Sequence, residues 1–210
     1  MLCYRAAIKR GSPGLKLMKF SKFVFAASVL VAAASPAMAQ TSPDSDQFVE
    51  AVEKADGDKA TELLRSKPRL VDSRNSKGDT ALMIAISRSD RNWTGFLLHE
   101  GADPNLGGKG GDTPLIAATR AGFEEAAEWL LNTGAKVDGA NRMGETPLII
   151  AVQQRQLPMI TLLLNSGADP DKTDTAAGLS ARDYATRDTR SRQILQLIDA
   201  KKPKTSAASR

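Results

Sequence analysis

The chain repeats itself at a fixed step. Gly78-Asp79-Thr80-Ala81-Leu82, Gly111-Asp112-Thr113-Pro114-Leu115 and Gly144-Glu145-Thr146-Pro147-Leu148 recur every 33 residues. A degenerate copy begins at Gly178-Leu179-Ser180, one inserted residue later. A second block keeps the same step: Leu97-Leu98-His99-Glu100-Gly101-Ala102-Asp103, Leu130-Leu131-Asn132-Thr133-Gly134-Ala135-Lys136, and Leu163-Leu164-Asn165-Ser166-Gly167-Ala168-Asp169. A period of this size means small supersecondary units in a stack, because no single unit can bury its own apolar face.

The chemistry inside each unit says what it is made of. Thr80, Thr113 and Thr146 stand where a helix begins, and a threonine side chain caps free N–H groups there. Pro114 and Pro147 follow at the first helical position, where a missing N–H costs nothing. Gly101, Gly134 and Gly167 follow Leu-Leu pairs, as left-handed helix-ending residues do. Between these signals lie helix-spaced apolar residues: Leu115 and Ala118, then Ala126, Ala127, Leu130 and Leu131. Aromatics are only 5% of the chain, so the core must be built from aliphatic side chains, which suits closely packed helices.

Over residues 45–200 these blocks resemble ankyrin repeats, whose pattern is G-x-T-P-L-H-x-A-A, a turn, and a second helix ending L-L before G-A-D. The resemblance implies an all-α solenoid of helix-turn-helix units with β-hairpin tips. Five units are expected, at 45–74, 75–107, 108–140, 141–174 and 175–200, the outer two being atypical caps. The family's histidine is replaced by Met83, Ile116 and Ile149, so apolar packing must do its work. Pro158 must fall in the first turn of its helix to be tolerated.

The ends carry different information. Phe23 to Ala34 is an uncharged apolar run preceded by Lys19 and Lys22 and followed by the small-x-small site Ala37-Met38-Ala39. This reads as a Sec signal peptide, with Met18 as the expected start and cleavage after Ala39. The run would rise only ~18 Å as a helix, short of a ~30 Å hydrocarbon core. A periplasmic or secreted destination follows, with no integral membrane segment in the mature chain. Residues 40–44 read as a linker and Lys201–Arg210 as a disordered basic tail.

The net charge of +5 is a property of that leader. Residues 1–39 hold six basic and no acidic residues, which leaves 23 basic against 24 acidic in the remainder. A nucleic-acid partner is therefore not expected. Cys3 is the only cysteine and also lies in the leader, so the mature chain has no thiol for catalysis, metal or disulfide.

Few residues carry candidate chemistry. His99, the only histidine, falls in a last helical turn and reads as a surface residue. Asp103, Asp138, Asp169 and Asp171 suit turns rather than a calcium loop, whose D-x-D-x-D-G pattern is absent. Gly107 to Gly111 lacks the phosphate-loop lysine and serine spacing and reads as a flexible tip. Trp93 and Trp129 are expected as core residues between units. Asp79, Asp112 and Glu145 should stack as an acidic row beside the helix starts. No catalytic residue, metal site or cofactor is expected.

The resemblance implies a binding strip on the concave side, formed by tips and first helices. Carried over by register, it comprises Ser76, Lys77, Asp79, Ser87 and Arg88 in the second unit. Lys109, Asp112, Arg120 and Ala121 follow in the third, and Arg142, Met143, Glu145, Gln153 and Gln154 in the fourth. The basic tips and the acids behind them suit a charge-complementary protein partner, with Met143 as an apolar anchor. The function expected is protein binding by a monomer. An immunity-type inhibitor of an enzyme and a tether to the cell envelope are the alternatives.

Overall fold

The computed structural model describes residues 43–188, 190 and 192–200. The expected leader and cleavage site, the expected linker residues 40–42 and the expected basic tail 201–210 lie outside the described residues. Ten α-helices form five consecutive pairs among the described residues. They are α1 (Pro43–Glu53) with α2 (Gly57–Ser66), α3 (Ala81–Ser87) with α4 (Arg91–His99), and α5 (Pro114–Ala121) with α6 (Glu124–Asn132). Then come α7 (Pro147–Gln153) with α8 (Leu157–Asn165), and α9 (Ala181–Arg187) with α10 (Arg192–Ala200). The first helices pack on one another in series, α1 on α3, α3 on α5, α5 on α7 and α7 on α9. The second helices form a parallel outer layer, α4 on α6, α6 on α8 and α8 on α10.

The helix starts are set by the threonines. Thr80, Thr113 and Thr146 have extended backbones, and each Oγ1 accepts from the N–H three residues on, at 3.2, 3.2 and 3.3 Å. Ser180 repeats the device and adds a capping box with Asp183. The outer helices α4, α6 and α8 end in Gly101, Gly134 and Gly167, whose φ values of 88°, 97° and 90° favour glycine. Pro158 sits in the first turn of α8, where it breaks no ladder bond.

The core lies between the two layers. Leu82, Ile86, Leu97, Leu115, Leu130, Leu148, Met159 and Ile160 are buried. Where the family pattern has histidine, Ile116 and Ile149 are fully buried and Met83 is half-buried. Burying such an isoleucine contributes about 1.5–3 kcal/mol, a real replacement for lost loop hydrogen bonds.

Three expectations need correction. Residues 43 and 44 are not linker but the first turn of α1, where Asp44 pairs with Lys67. The tips form no strands among the described residues. Each tip is a tight turn, and two isolated antiparallel bridges form among the described residues, Arg74 with Thr80 and Thr173 with Ser180. Trp93 and Trp129 are half-buried rather than core. They sit on the outer helices, where the neighbouring helix covers only one side of a ring that large. Trp93 meets Phe96 edge to face at 5.5 Å, and Arg91 lies 5.8 Å above Trp129.

Candidate functional site

The tips are built by one local motif. The N–H of Asn75 donates to Asp79 O, that of Gly108 to Asp112 O, and that of Asn141 to Glu145 O, at 3.0, 3.1 and 3.1 Å. Inside the turn, Asn75 Oδ1 accepts from the N–H groups of Lys77 and Asp79, both at 3.0 Å. Asn141 Oδ1 does the same for Met143 and Glu145, at 2.9 and 3.1 Å. Asp174 serves the fourth tip through Ala177 and Gly178. Gly108 occupies the equivalent position in the third unit and has no side chain to offer. Its tip keeps the backbone bond from Gly111 N–H to Gly108 O, at 3.0 Å, that Gly78 and Gly144 also make in theirs.

Each tip rests on the one before it. A Cβ on Gly78 would meet the Lys109 stem at 3.4 Å, and one on Gly111 would fall 2.7 Å from Arg142 Cγ. One on Gly144 would fall 2.7 Å from the backbone nitrogen of Thr175. All three glycines have positive φ, a conformation that favours glycine, and at Gly111 and Gly144 the close approach opposes a side chain as well. The cationic stems of Lys109 and Arg142 are thereby laid across the preceding turn.

The acidic row is tied down from within. Asp46 Oδ1 accepts from Ser76 N–H at 2.7 Å, and Asp79 Oδ1 from Lys109 N–H at 3.3 Å. At the next step the pattern changes. Asp112 accepts from Asn141 Nδ2 and from Arg120 Nε, both at 2.9 Å. Glu145 accepts from the same Asn141 Nδ2 at 2.8 Å and from an Arg120 terminal nitrogen at 2.9 Å. Arg120 therefore spans two units, and the cation sought by the acidic row is the chain's own.

The sequence-derived strip is brought together unevenly. Asp112, Arg120 and Glu145 form one network, joined by Asn141, which sequence reasoning missed. Lys77, Lys109, Arg142 and Met143 stand exposed at the tips, Met143 at 50%. Arg88 caps α3 and donates to the Glu53 carbonyl. Gln153 and Gln154 are exposed at the end of α7, and Gln154 Oε1 accepts from Gln156. Asn141 carried a signal, since positions 75, 108, 141 and 174 hold Asn, Gly, Asn and Asp at the repeat's own step.

At the fourth tip, Asp174 is buried and accepts from the Tyr184 hydroxyl at 2.7 Å. That bond, then the N–H groups of Ala177, Leu179 and Gly178, hold its carboxyl below the usual carboxylate range. His99 is exposed, 3.4 Å from Glu100, in the last turn of an outer helix. Among the described residues no cluster of three His, Cys, Asp or Glu side chains could hold a metal ion, and no helix is long and apolar enough to cross a membrane.

Comparison with known proteins fits this geometry. The family model described as ankyrin repeats (3 copies) matches residues 48–137 and 91–174, together more than half of the chain. A search of curated proteins found no match. The interval of 33, the threonine caps, the paired helix layers and this match agree: the chain belongs to the ankyrin-repeat family.

Proposed function

We propose that this chain is a periplasmic or secreted binding module that holds a protein partner on the face formed by its tips and first helices. Ankyrin repeats generally mediate protein–protein interaction and are a non-catalytic module. One observation carries the reading to this face. Lys77, Lys109, Arg142 and Met143 are exposed on tips whose backbones are fastened to one another, so the row is ordered before any partner arrives. A preordered surface loses little freedom on binding, which is what makes modest contacts sufficient. Met143 is the large hydrophobic side chain left exposed among the described residues. The export reading rests on the apolar run and the A-x-A site before Gln40.

Two experiments test the proposal. Immobilised protein is offered an envelope extract beside a variant in which Lys77, Lys109, Arg142 and Met143 are all changed to Ser. A protein retained by the first and lost from the still-helical variant is the expected result, and equal retention refutes the face. Fractionation of cells expressing the tagged chain should place a shortened form outside the cytoplasm. Full-length protein confined to the cytoplasm refutes export.

A further inference from the structure

The primary structure of the strip alternates acid and base, and the fold sorts the two by depth. Asp79, Asp112 and Glu145 are half-buried, and their carboxylates accept from a backbone N–H, from Asn141 and from Arg120. Lys77, Lys109 and Arg142 are exposed, and among the described residues none of their side-chain cations makes an ion pair or hydrogen bond. The stems of Lys109 and Arg142 already lie against Gly78 and Gly111, which leaves fewer torsions to fix on binding. What faces outward is a row of unspent positive charges over a floor of spent negative ones.

Resting on the protein-binding reading above, we infer that the segment bound here is an extended acidic stretch of the partner, with a carboxylate at about every third residue and an apolar side chain set against Met143. The spacing follows from stacking. Neighbouring helices pack about 8–10 Å apart, and tips carried by stacked units advance by a similar step. An extended chain rises about 3.3 Å per residue, so about three residues span one step. The apolar contact follows from Met143, which is half exposed beside Arg142 and can be desolvated by an aliphatic partner residue but not by a phosphate. The acidic floor acts in the same direction. It repels a densely charged polyanion that sinks between the tips, while a sparse row of carboxylates meets the cations at the rim.

The test uses purified protein and three labelled peptides of about ten residues, identical except that every third residue is Glu, Gln or Lys, each with one Leu. Short duplex DNA and phosphatidylglycerol-containing vesicles serve as competing probes. The Glu peptide should bind at least about tenfold more tightly than the Gln peptide, and the advantage should shrink as salt rises from about 0.05 to 0.5 M. It should vanish in Lys77→Glu/Lys109→Glu/Arg142→Glu. Each single change to Gln should cost a factor of up to about five, which keeps the test open if the triple variant fails to fold. Equal binding of the Glu and Gln peptides, or no binding of the Glu peptide, overturns the acidic preference. DNA or vesicles binding at least as tightly as the Glu peptide, and lost in the same variants, overturns it in favour of a polyanion. The underlying reading is separable. A Gln peptide held as tightly as the Glu peptide and released by Met143→Ser leaves the face standing, whereas an envelope partner retained by every strip variant removes the face as well.

Discussion

Two segments of each unit are laced to the next unit, and they are laced differently. In the loops that lead from the outer helices into the tips, one device repeats over three successive steps. Asp72 Oδ1 accepts from Asp103 N–H, Asn105 Oδ1 from Lys136 N–H, and Asp138 Oδ1 from Asp169 N–H, at 2.8, 2.8 and 3.1 Å. Each bond runs from one unit to the backbone of the next, 31 residues on. On the tips themselves the same idea starts, from Asp46 to Ser76 and from Asp79 to Lys109, and then gives way to the Arg120 and Asn141 network. The uniform ladder of the loops holds the first four units in register and leaves its side chains spent on backbone. A ladder that changes from unit to unit still holds the tips, but presents a different side chain at each. The loops are the stack's frame, and the tips are free to be specific.

The largest expected effect comes from removing the residue on which the irregular lacing of the tips converges. Asn141→Ala deletes two acceptor bonds inside its tip and two donor bonds to Asp112 and Glu145. Urea unfolding should show a loss of about 2–4 kcal/mol. A loss below about 0.5 kcal/mol would mean that this network holds nothing.

Asn105→Ala tests the regular ladder of the loops. It removes the bond from Lys136 N–H and the bond from its own amide to Gly134 O. The expected cost is about 1–2 kcal/mol by thermal or urea unfolding, with capture per folded molecule unchanged.

At the fourth tip, the effect is set by pH. The Asp174 carboxyl is held below its ordinary value by Tyr184 and by backbone N–H groups. The unfolded chain therefore takes up that proton first. The stabilisation is present above the ordinary carboxylate range near pH 4 and is lost as pH falls through the lower folded value. Unfolding followed between about pH 5 and 2 should show this slope in the native protein and a shallower one in Asp174→Asn. Equal slopes would place the acid sensitivity elsewhere.

The smallest change in stability should come from the tips themselves. Lys77→Ala, Lys109→Ala and Arg142→Ala remove exposed cations that pair with no group among the described residues, and each should fall within about 0.5 kcal/mol of the parent. Arg120→Ala, exposed but paired with Asp112 and Glu145, should cost up to about 1 kcal/mol per pair.

The frame was legible in the sequence because its signals are local. Thr113 before Pro114 starts a helix whatever surrounds it, and Gly134 after Leu130-Leu131 ends one. The five units follow from those marks. What stayed hidden depends on distances between units. Nothing local says that Asn105 reaches Lys136, or that Arg120 lies between Asp112 and Glu145 rather than facing solvent. Asp72, Asn105, Asp138 and Asp171 nevertheless fall at the repeat's step, so the ladder was present as periodicity without its geometry. Trp93 and Trp129 misled for a related reason. Their size suggests the core, but a second helix in a two-layer stack has an outer flank that no neighbour covers. The strip's membership came from the family register, and only the structure separates its spent acids from its free bases.

The division of labour between loops and tips is tested most directly by two variants measured side by side for stability and for capture of the same partner. Lys77→Ala/Lys109→Ala/Arg142→Ala should unfold near the parent's midpoint and lose capture, while Asn105→Ala should unfold earlier and keep it. Capture lost with Asn105 in fully folded protein, or kept without the three cations, would contradict the assignment of recognition to the tips.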